Sequence, residues 1–359
     1  MTETPYCGTE MIRTDNITTA CMSSGYTCRE CGSAAPQVRE LKWENFPEVP
    51  ERAREAYAGA DGGGEVGGMN VALHDSDNTG FPNLALMKLS AYHKAKEDRV
   101  EWWIPLKEYD RVYSSKIFTF TPENPYLPKD TIKGGTGYGI YNELSKEIDS
   151  VFPDYTIYPN VDYAIGFLTR GCIRRCPWCV VPKKEGKIKA YNTWEEIKRP
   201  DSNKIVFMDN NVLACPHGLK QIEQMIGQNV KVDFNQGLDA RLITGDIAKM
   251  LSKVKWIRFV RMSCDTDAML DVVIRAINKL GQNGIKPYRI FVYCLVQDIS
   301  SAERRVIALR DAGAEVFAQP YRDLNKQTEP PKEMKQFARW VNRKEIFKSC
   351  EKFEDYKKR

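Results

Sequence analysis

The regular alternation of strand-like and helix-like segments between residues 162 and 323 is the feature that most constrains the fold. Short apolar and β-branched runs favour strands at Tyr163–Thr169, Lys204–Met208, Val230–Phe234, Trp256–Met262, Tyr288–Val296 and Glu315–Gln319. Helical spacing favours helices between them at Leu219–Gln228, Ile243–Ser252, Asp267–Asn283 and Ser300–Ala312. Strands joined by helices through short turns form parallel sheets, so this region is predicted to be a partial (β/α)6 barrel.

A smaller α/β pattern precedes that region. Met69–His74 is predicted to be a strand, Phe81–Lys96 a helix, and Val100–Ile104 and Arg111–Phe120 further strands, which together favour a small Rossmann-like βαβ domain. Prolines and glycine runs before Met69 are typical of a linker. The predicted organisation is a cysteine-containing segment at 1–35, a linker at 36–68, the Rossmann-like domain at 69–155, the barrel at 156–323 and a helical extension at 324–359.

Three cysteines follow the first strand of the predicted barrel. Cys172, Cys176 and Cys179 have the spacing C-x3-C-x2-C. Three thiolates on one short loop can ligate three irons of a [4Fe–4S] cluster and leave the fourth iron open. A structural zinc site with Cys215 or His217 as fourth ligand is the alternative, but such sites usually draw their cysteines from C-x2-C pairs.

The cysteine run resembles the signature of the radical S-adenosylmethionine superfamily, with Gly171 before the first cysteine and Trp178 before the last. The resemblance extends from Asp162 to about Asp323. It implies that Cys172, Cys176 and Cys179 hold a [4Fe–4S] cluster whose open iron chelates S-adenosylmethionine. It also implies that one electron from a low-potential donor releases a 5′-deoxyadenosyl radical that acts on an unidentified substrate.

Polar residues at the predicted strand ends are the expected contacts to S-adenosylmethionine. In the family a Gly-Gly-Glu-like motif after the second strand binds the amino group; this chain has Asp209 there, with Asn210 or Asn211 able to assist. Arg241 could pair with the methionine carboxylate, or with Asp239 as a structural ion pair. The full set of expected cofactor contacts is Asp209, Asn210, Gln236, Asp239, Arg241, Ser263, Asp265, Val296 and Tyr321.

The loop after the first strand of the smaller domain bears on cobalamin. Many members of the family carry an N-terminal cobalamin-binding domain in which the histidine of a D-x-H-x-x-G loop ligates cobalt. This chain has Asp75-Ser-Asp-Asn-Thr-Gly80, with Asp77 at the histidine position. Cobalamin is therefore disfavoured, and a cobalamin-assisted methylase is kept as an alternative function.

Four cysteines lie in the first 35 residues. Cys7, Cys21, Cys28 and Cys31 could close a tetrahedral zinc site, and Cys28-Arg-Glu-Cys31 resembles half of a zinc ribbon. An auxiliary iron–sulfur cluster, or no metal at all, are the competing interpretations. Cys264 and Cys294 are expected to be small buried hydrophobic residues instead of ligands.

Charge and composition set broad limits. The net charge of +5 is mild, but seven basic residues surround the cysteines with Glu185 as the only acid. This basic loop could offset the thiolates, attract an anionic substrate or nucleic acid, or be a solvated rim. A nucleic-acid or protein binding module with a structural metal is thus a further alternative.

Membrane-spanning segments and a secretory signal are not expected from the sequence. No apolar run approaches the length of a membrane span, and no secretory signal is visible at the N-terminus. With three histidines, a histidine-rich metal site is not expected. The sequence predicts a cytoplasmic protein without a membrane partner.

Overall fold

A computed structural model describes residues 68–323 and 329–357. Within these ranges the chain is a mixed α/β protein with parallel sheets. The predictions for residues 1–35 and for all but the last residue of the 36–68 linker lie outside the described residues, and with them Cys7, Cys21, Cys28 and Cys31. None of the described helices is long and apolar enough to cross a membrane.

The first sheet has four parallel strands in the order β2-β1-β3-β4. Its elements are β1 (Asn70–Asp75), α1 (Leu84–Lys94), β2 (Arg99–Trp102), β3 (Arg111–Ser115), β4 (Ile132–Gly134) and the short helix α2 (Lys146–Asp149). The predicted strand Arg111–Phe120 ends early because the Ile117 and Phe118 amides donate to the carboxylate of Asp77, at 2.5 and 3.3 Å. Those amides are therefore unable to extend the ladder.

The larger part of the chain begins with two short strands instead of one. The prediction of a single strand at Tyr163–Thr169 is wrong: β5 is Ala164–Gly166, and β6 (Thr169–Arg170) pairs antiparallel with β7 (Lys189–Ala190). The reason is Asp209, whose carboxylate accepts from the amides of Leu168 and Thr169 at 3.0 and 2.6 Å. The segment between β6 and β7 contains the cysteines and α3 (Val181–Lys184).

A short helix that was not predicted, α4 (Trp194–Ile197), follows β7. The remaining strands and helices follow the predicted alternation to within a few residues. They are β8 (Lys204–Phe207), α5 (Pro216–Met225), β9 (Lys231–Phe234), α6 (Gly245–Leu251), β10 (Val260–Ser263), α7 (Asp267–Gln282), β11 (Ile290–Val296), α8 (Ile299–Asp311) and β12 (Glu315–Pro320). The parallel orders are β5-β8-β9 and β10-β11-β12, and an isolated parallel bridge joins Leu238 to Met262. The predicted strand Trp256–Met262 begins only at Val260; Trp256 forms a single bridge to Val232.

Three helices follow at the C-terminal end of the described residues; the first packs on the last strand, and the other two pack on that first helix. They are α9 (Lys332–Asn342), α10 (Lys344–Ser349) and α11 (Phe353–Lys357). Phe337 and Trp340 are fully buried in the larger apolar core. The Asn342 side chain both donates to and accepts from the backbone of Ala318, at 3.0 and 2.8 Å, and so protects the edge of β12 from further pairing.

Candidate metal and cofactor site

The cysteine loop starts at a position that requires glycine. Gly171 has φ +82°, and a Cβ there would lie 2.3 Å from the carbonyl oxygen of Lys187. Glu185, whose side chain is buried, accepts from the Gly171 amide and the Asn210 amide group, each at 2.9 Å, and pairs with Arg170 at 3.1 Å. The one acidic residue of the basic loop thus fixes the start of the loop.

The three thiols differ in exposure. Cys172 and Cys176 are half-buried, and Cys179 is exposed. Burial raises the pKa of Cys176, an effect opposed by Arg241 and reinforced by Cys172; burial also raises the pKa of Cys179, with Cys176 and Cys172 adding to it. Neighbouring thiols thus add to the rise in the pKa of Cys176 and Cys179, an effect that a bound metal would reverse.

The thiols do not form a closed ligand shell. Within residues 68–323 and 329–357, no three His, Cys, Asp or Glu side chains are arranged to hold a metal ion. The donor chemistry nevertheless fits an iron–sulfur cluster, because the three thiolates come from one short loop and no carboxylate or imidazole lies between Cys172 and Cys179.

A group of four side chains, here called the Asp239 cluster, supports the first cysteine. Its members are Asp239, Arg174, Arg241 and Asn211. Arg241 Nε and Arg174 Nε donate to the two Asp239 oxygens at 2.6 and 2.9 Å. Burial opposes ionisation of Asp239, but these two arginines outweigh it and lower its pKa. The Asp239–Arg241 ion pair foreseen as an alternative is present.

Asn211 links the Asp239 cluster to the cysteine loop. Its Nδ2 donates to Cys172 Sγ at 3.4 Å and to Asp239 Oδ2 at 3.2 Å. The residue is 1% exposed, and its Oδ1 has no donor among the described residues. Asp239 accepts only, which fixes the amide orientation, so this buried oxygen points to a missing donor.

Arg174 was not among the expected cofactor contacts, and Asn211 was expected only as an alternative to Asn210. The Asn210 amide group instead donates to Glu185. The usable signal was position: Asn211 follows the carboxyl end of β8, where parallel α/β folds place functional residues. No sequence signal singled out Arg174 from the neighbouring basic residues.

The structure places the other expected cofactor contacts in different environments. Asp265 is mostly buried, accepts from the Leu295 amide at 3.2 Å and from Ser263, and contributes to the electrostatics of Cys176 and Cys179. Val296 is fully buried in the apolar core, where its side chain packs against other core residues. Gln236 is exposed and Tyr321 half-buried; their contact with a cofactor stays a prediction.

Asp209 has a different environment from the one expected of a cofactor contact. It is 1% exposed, and both oxygens accept from Leu168 and Thr169. Burial raises its pKa from 3.8 to about 6, against the lowering effect of the Thr169 and Leu168 donors. The carboxyl group holds β8 against the segment that leads into the cysteine loop.

Asp209 should make stability fall as the pH rises. Its folded pKa exceeds its unfolded value, so between pH 4 and 6 the folded state keeps a proton that the unfolded state releases. We expect ionisation of this carboxyl group to lower the free energy of unfolding by about 3 kcal/mol between pH 4 and 6. Urea denaturation of the apoprotein at pH 4 and 7 tests this, with Asp209→Asn losing most of the pH-dependent difference. An equal pH dependence in the variant would contradict it.

Cobalamin is not well matched by the loop after β1. The Asp77 carboxylate accepts from the amides of Ile117 and Phe118 and from the Thr121 hydroxyl at 2.5 Å. With three donors bound, this side chain holds the loop that follows β3 and is not free to replace a cobalt-ligating histidine. The residues present therefore do not fit a lower axial ligand at this position.

Comparison with known proteins gives no further guide to the family. Neither a protein-family model nor a curated protein matches the chain. The function must therefore be argued from the site itself.

Proposed function

We propose that this protein is a radical S-adenosylmethionine enzyme. The observation that carries the proposal is the C-x3-C-x2-C loop, which follows β5 and β6 and is hydrogen-bonded to buried polar residues from the ends of neighbouring strands. Cys172, Cys176 and Cys179 would hold a [4Fe–4S] cluster. When bound, such a cluster supplies one electron and an open iron for chelating S-adenosylmethionine.

The proposed architecture is a partial (β/α)6 barrel preceded by a Rossmann-like domain. The sequential parallel strand orders and the Leu238–Met262 bridge support the barrel. The parallel β1-α1-β2 unit supports the smaller domain. In this arrangement the cysteine loop and the Asp239 cluster lie at the carboxyl ends of barrel strands, the usual location of active sites in such folds.

The polar residues beside Cys172 fit the amino-acid end of S-adenosylmethionine. Asn211 Oδ1 is buried in this structure and has no donor among the described residues; we propose it as the acceptor for the ammonium group. Arg241 uses Nε and Nη2 for Asp239, while Nη1 has no partner among the described residues and can donate to the carboxylate. Ser263 and Asp265 are proposed to contact the ribose hydroxyls, as the resemblance implies.

The substrate is proposed to carry negative charge. Arg170, Arg174 and Lys189 have ion-pair partners, whereas Arg175 and Lys187 have none within the described ranges and are exposed. Uncompensated cations beside a reactive site raise the local concentration of anions. The reductant is proposed to be a low-potential cytoplasmic electron donor.

Anaerobic reconstitution tests the proposal. The full chain is loaded with iron and sulfide, reduced with dithionite and incubated with S-adenosylmethionine, and 5′-deoxyadenosine is measured. We expect product together with a change in the electron paramagnetic resonance of the cluster on adding S-adenosylmethionine. Zinc bound at the three cysteines, with salt-sensitive nucleic-acid binding and no product, would favour a binding module. Cobalt retained after loading with hydroxocobalamin would favour a methylase.

A further inference from the structure

A cleft of about 500 Å³ lies at the carboxyl ends of β3 and β4, outside the cysteine site. Its walls include Lys116, Phe120, Thr136, Tyr138 and Tyr141. The carboxyl edge of a parallel sheet is where open α/β folds bind ligands, and the volume is typical of a small-molecule site.

Lys116 is an unusual residue to find in this wall. It is 4% exposed, yet no carboxylate lies within ion-pair distance of its ammonium among the described residues. Its Nζ lies 5.1 Å from the centre of the Tyr138 ring. A cation that is nearly buried without an anion loses hydration that a ring face only partly replaces.

The glycine-rich loop Gly134–Gly139 is built around this lysine. A Cβ at Gly135, whose φ is +104°, would lie 2.4 Å from the Lys116 carbonyl oxygen. A Cβ at Gly137 would lie 2.5 Å from Lys116 Cγ. The glycines thus let the loop close on the lysine stem, which holds the ammonium group at the cleft.

The acids near the cleft already have partners. Glu123 pairs with Lys133 at 3.0 Å, and Glu329 pairs with Lys335 at 2.6 Å and with Arg322. Counted together with these partners, the groups at the cleft carry a net positive charge, and Lys116 is the wall cation without an ion-pair partner among the described residues. Three aromatic side chains, those of Phe120, Tyr138 and Tyr141, also line the cleft; cations lie over each ring, so a bound planar ring would pack against the surface that these cations leave uncovered.

We propose that this cleft binds a small organic anion that carries a planar ring, of about the size of a nucleoside monophosphate, with its anionic group against Lys116. The proposal does not rest on the proposed reaction, although Lys183, from the segment that contains the cysteines, lies 4.7 Å from the centre of the Tyr141 ring in the cleft wall. Cobalamin is not the proposed occupant, because Asp77 is committed to the loop that forms one wall.

Calorimetric titration of the full chain, without a reconstituted cluster, tests the proposal with adenosine 5′-monophosphate as the probe. Adenosine and inorganic phosphate are titrated in parallel. Lys116→Met should weaken binding of the monophosphate at least about tenfold, since it removes a charged hydrogen-bond donor. Lys129→Met is the matched control: Lys129 is exposed and is not a wall residue of the cleft, so binding should change less than about threefold.

The outcomes are separable. The proposal is supported if adenosine and inorganic phosphate each bind more weakly than the monophosphate. It also requires that Lys116→Met loses monophosphate binding while the control variant keeps it. Inorganic phosphate bound as tightly as the monophosphate would reject the ring, and no binding of any probe at millimolar concentration would reject the site. Lys116→Gln serves if Lys116→Met fails to fold. If a folded Lys116 variant bound the monophosphate as tightly as the unmodified chain, the assignment of binding to this cleft would be overturned.

Discussion

Cys176→Ala should abolish iron incorporation and all cleavage of S-adenosylmethionine. With two thiolates left on the loop, a [4Fe–4S] cluster loses one of three protein ligands, and two thiolates do not retain it. The expected iron content falls from about four atoms per chain to below about one. Iron and sulfide analysis, the cluster absorbance and assay of 5′-deoxyadenosine measure the effect after anaerobic reconstitution.

Cys215→Ala is the matched control for this prediction. Cys215 is buried and lies outside the loop, but it would be the fourth ligand if the three cysteines belonged to a zinc site. The iron–sulfur proposal expects this variant to keep iron and cleavage close to the unmodified chain. If Cys215→Ala lost metal as Cys176→Ala does, the site would be a structural zinc centre. Product formation by Cys176→Ala would reject the enzymatic proposal itself.

The alternation of strands and helices was predictable because each element buries its own apolar pattern. β11 and α8 illustrate this: the strand predicted at Tyr288–Val296 is observed at Ile290–Val296, and the helix predicted at Ser300–Ala312 is observed at Ile299–Asp311. Cys264 and Cys294 are fully buried, as their positions within strands suggested.

Two strand ends could not be predicted, since side chains distant in sequence determine them. Asp77 ends β3, and Asp209 breaks the strand at Leu168 and Thr169. The strand propensity of Leu168 and Thr169 contains no information about the Asp209 carboxylate, which is 40 residues from Thr169 and accepts its backbone amide hydrogen bond.

The site was predictable at the level of ligands but not of their supporting residues. Spacing alone identifies Cys172, Cys176 and Cys179, because they are neighbours along the chain. Which of Asn210 and Asn211 turns toward the cysteines depends on the backbone after β8, where Glu185 takes one and Asp239 the other. Choosing between adjacent amides required the three-dimensional contacts.

Asp239→Ala should impair both the stability and the chemistry of the site. It removes the acceptor of Arg241, Arg174 and Asn211 and the cap of the short helical turn Ala240–Leu242. We expect a loss of about 2–3 kcal/mol of unfolding free energy, tempered because both arginines can reach solvent. We also expect a higher KM for S-adenosylmethionine, since Arg241 and Asn211 lose the carboxylate that orients them.

Asp298→Ala separates these two effects. Asp298 caps α8 by accepting from the Ser301 amide at 2.7 Å, so its loss should cost about 1 kcal/mol through the cap alone. Its KM for S-adenosylmethionine should equal that of the unmodified chain. Urea denaturation of the two variants, with steady-state assays after reconstitution, gives both quantities. A KM that stays constant in Asp239→Ala while stability falls would mean that the Asp239 cluster only holds the loop. A KM increase confined to that variant, by contrast, would link the cluster directly to recognition of the amino-acid end of the cofactor.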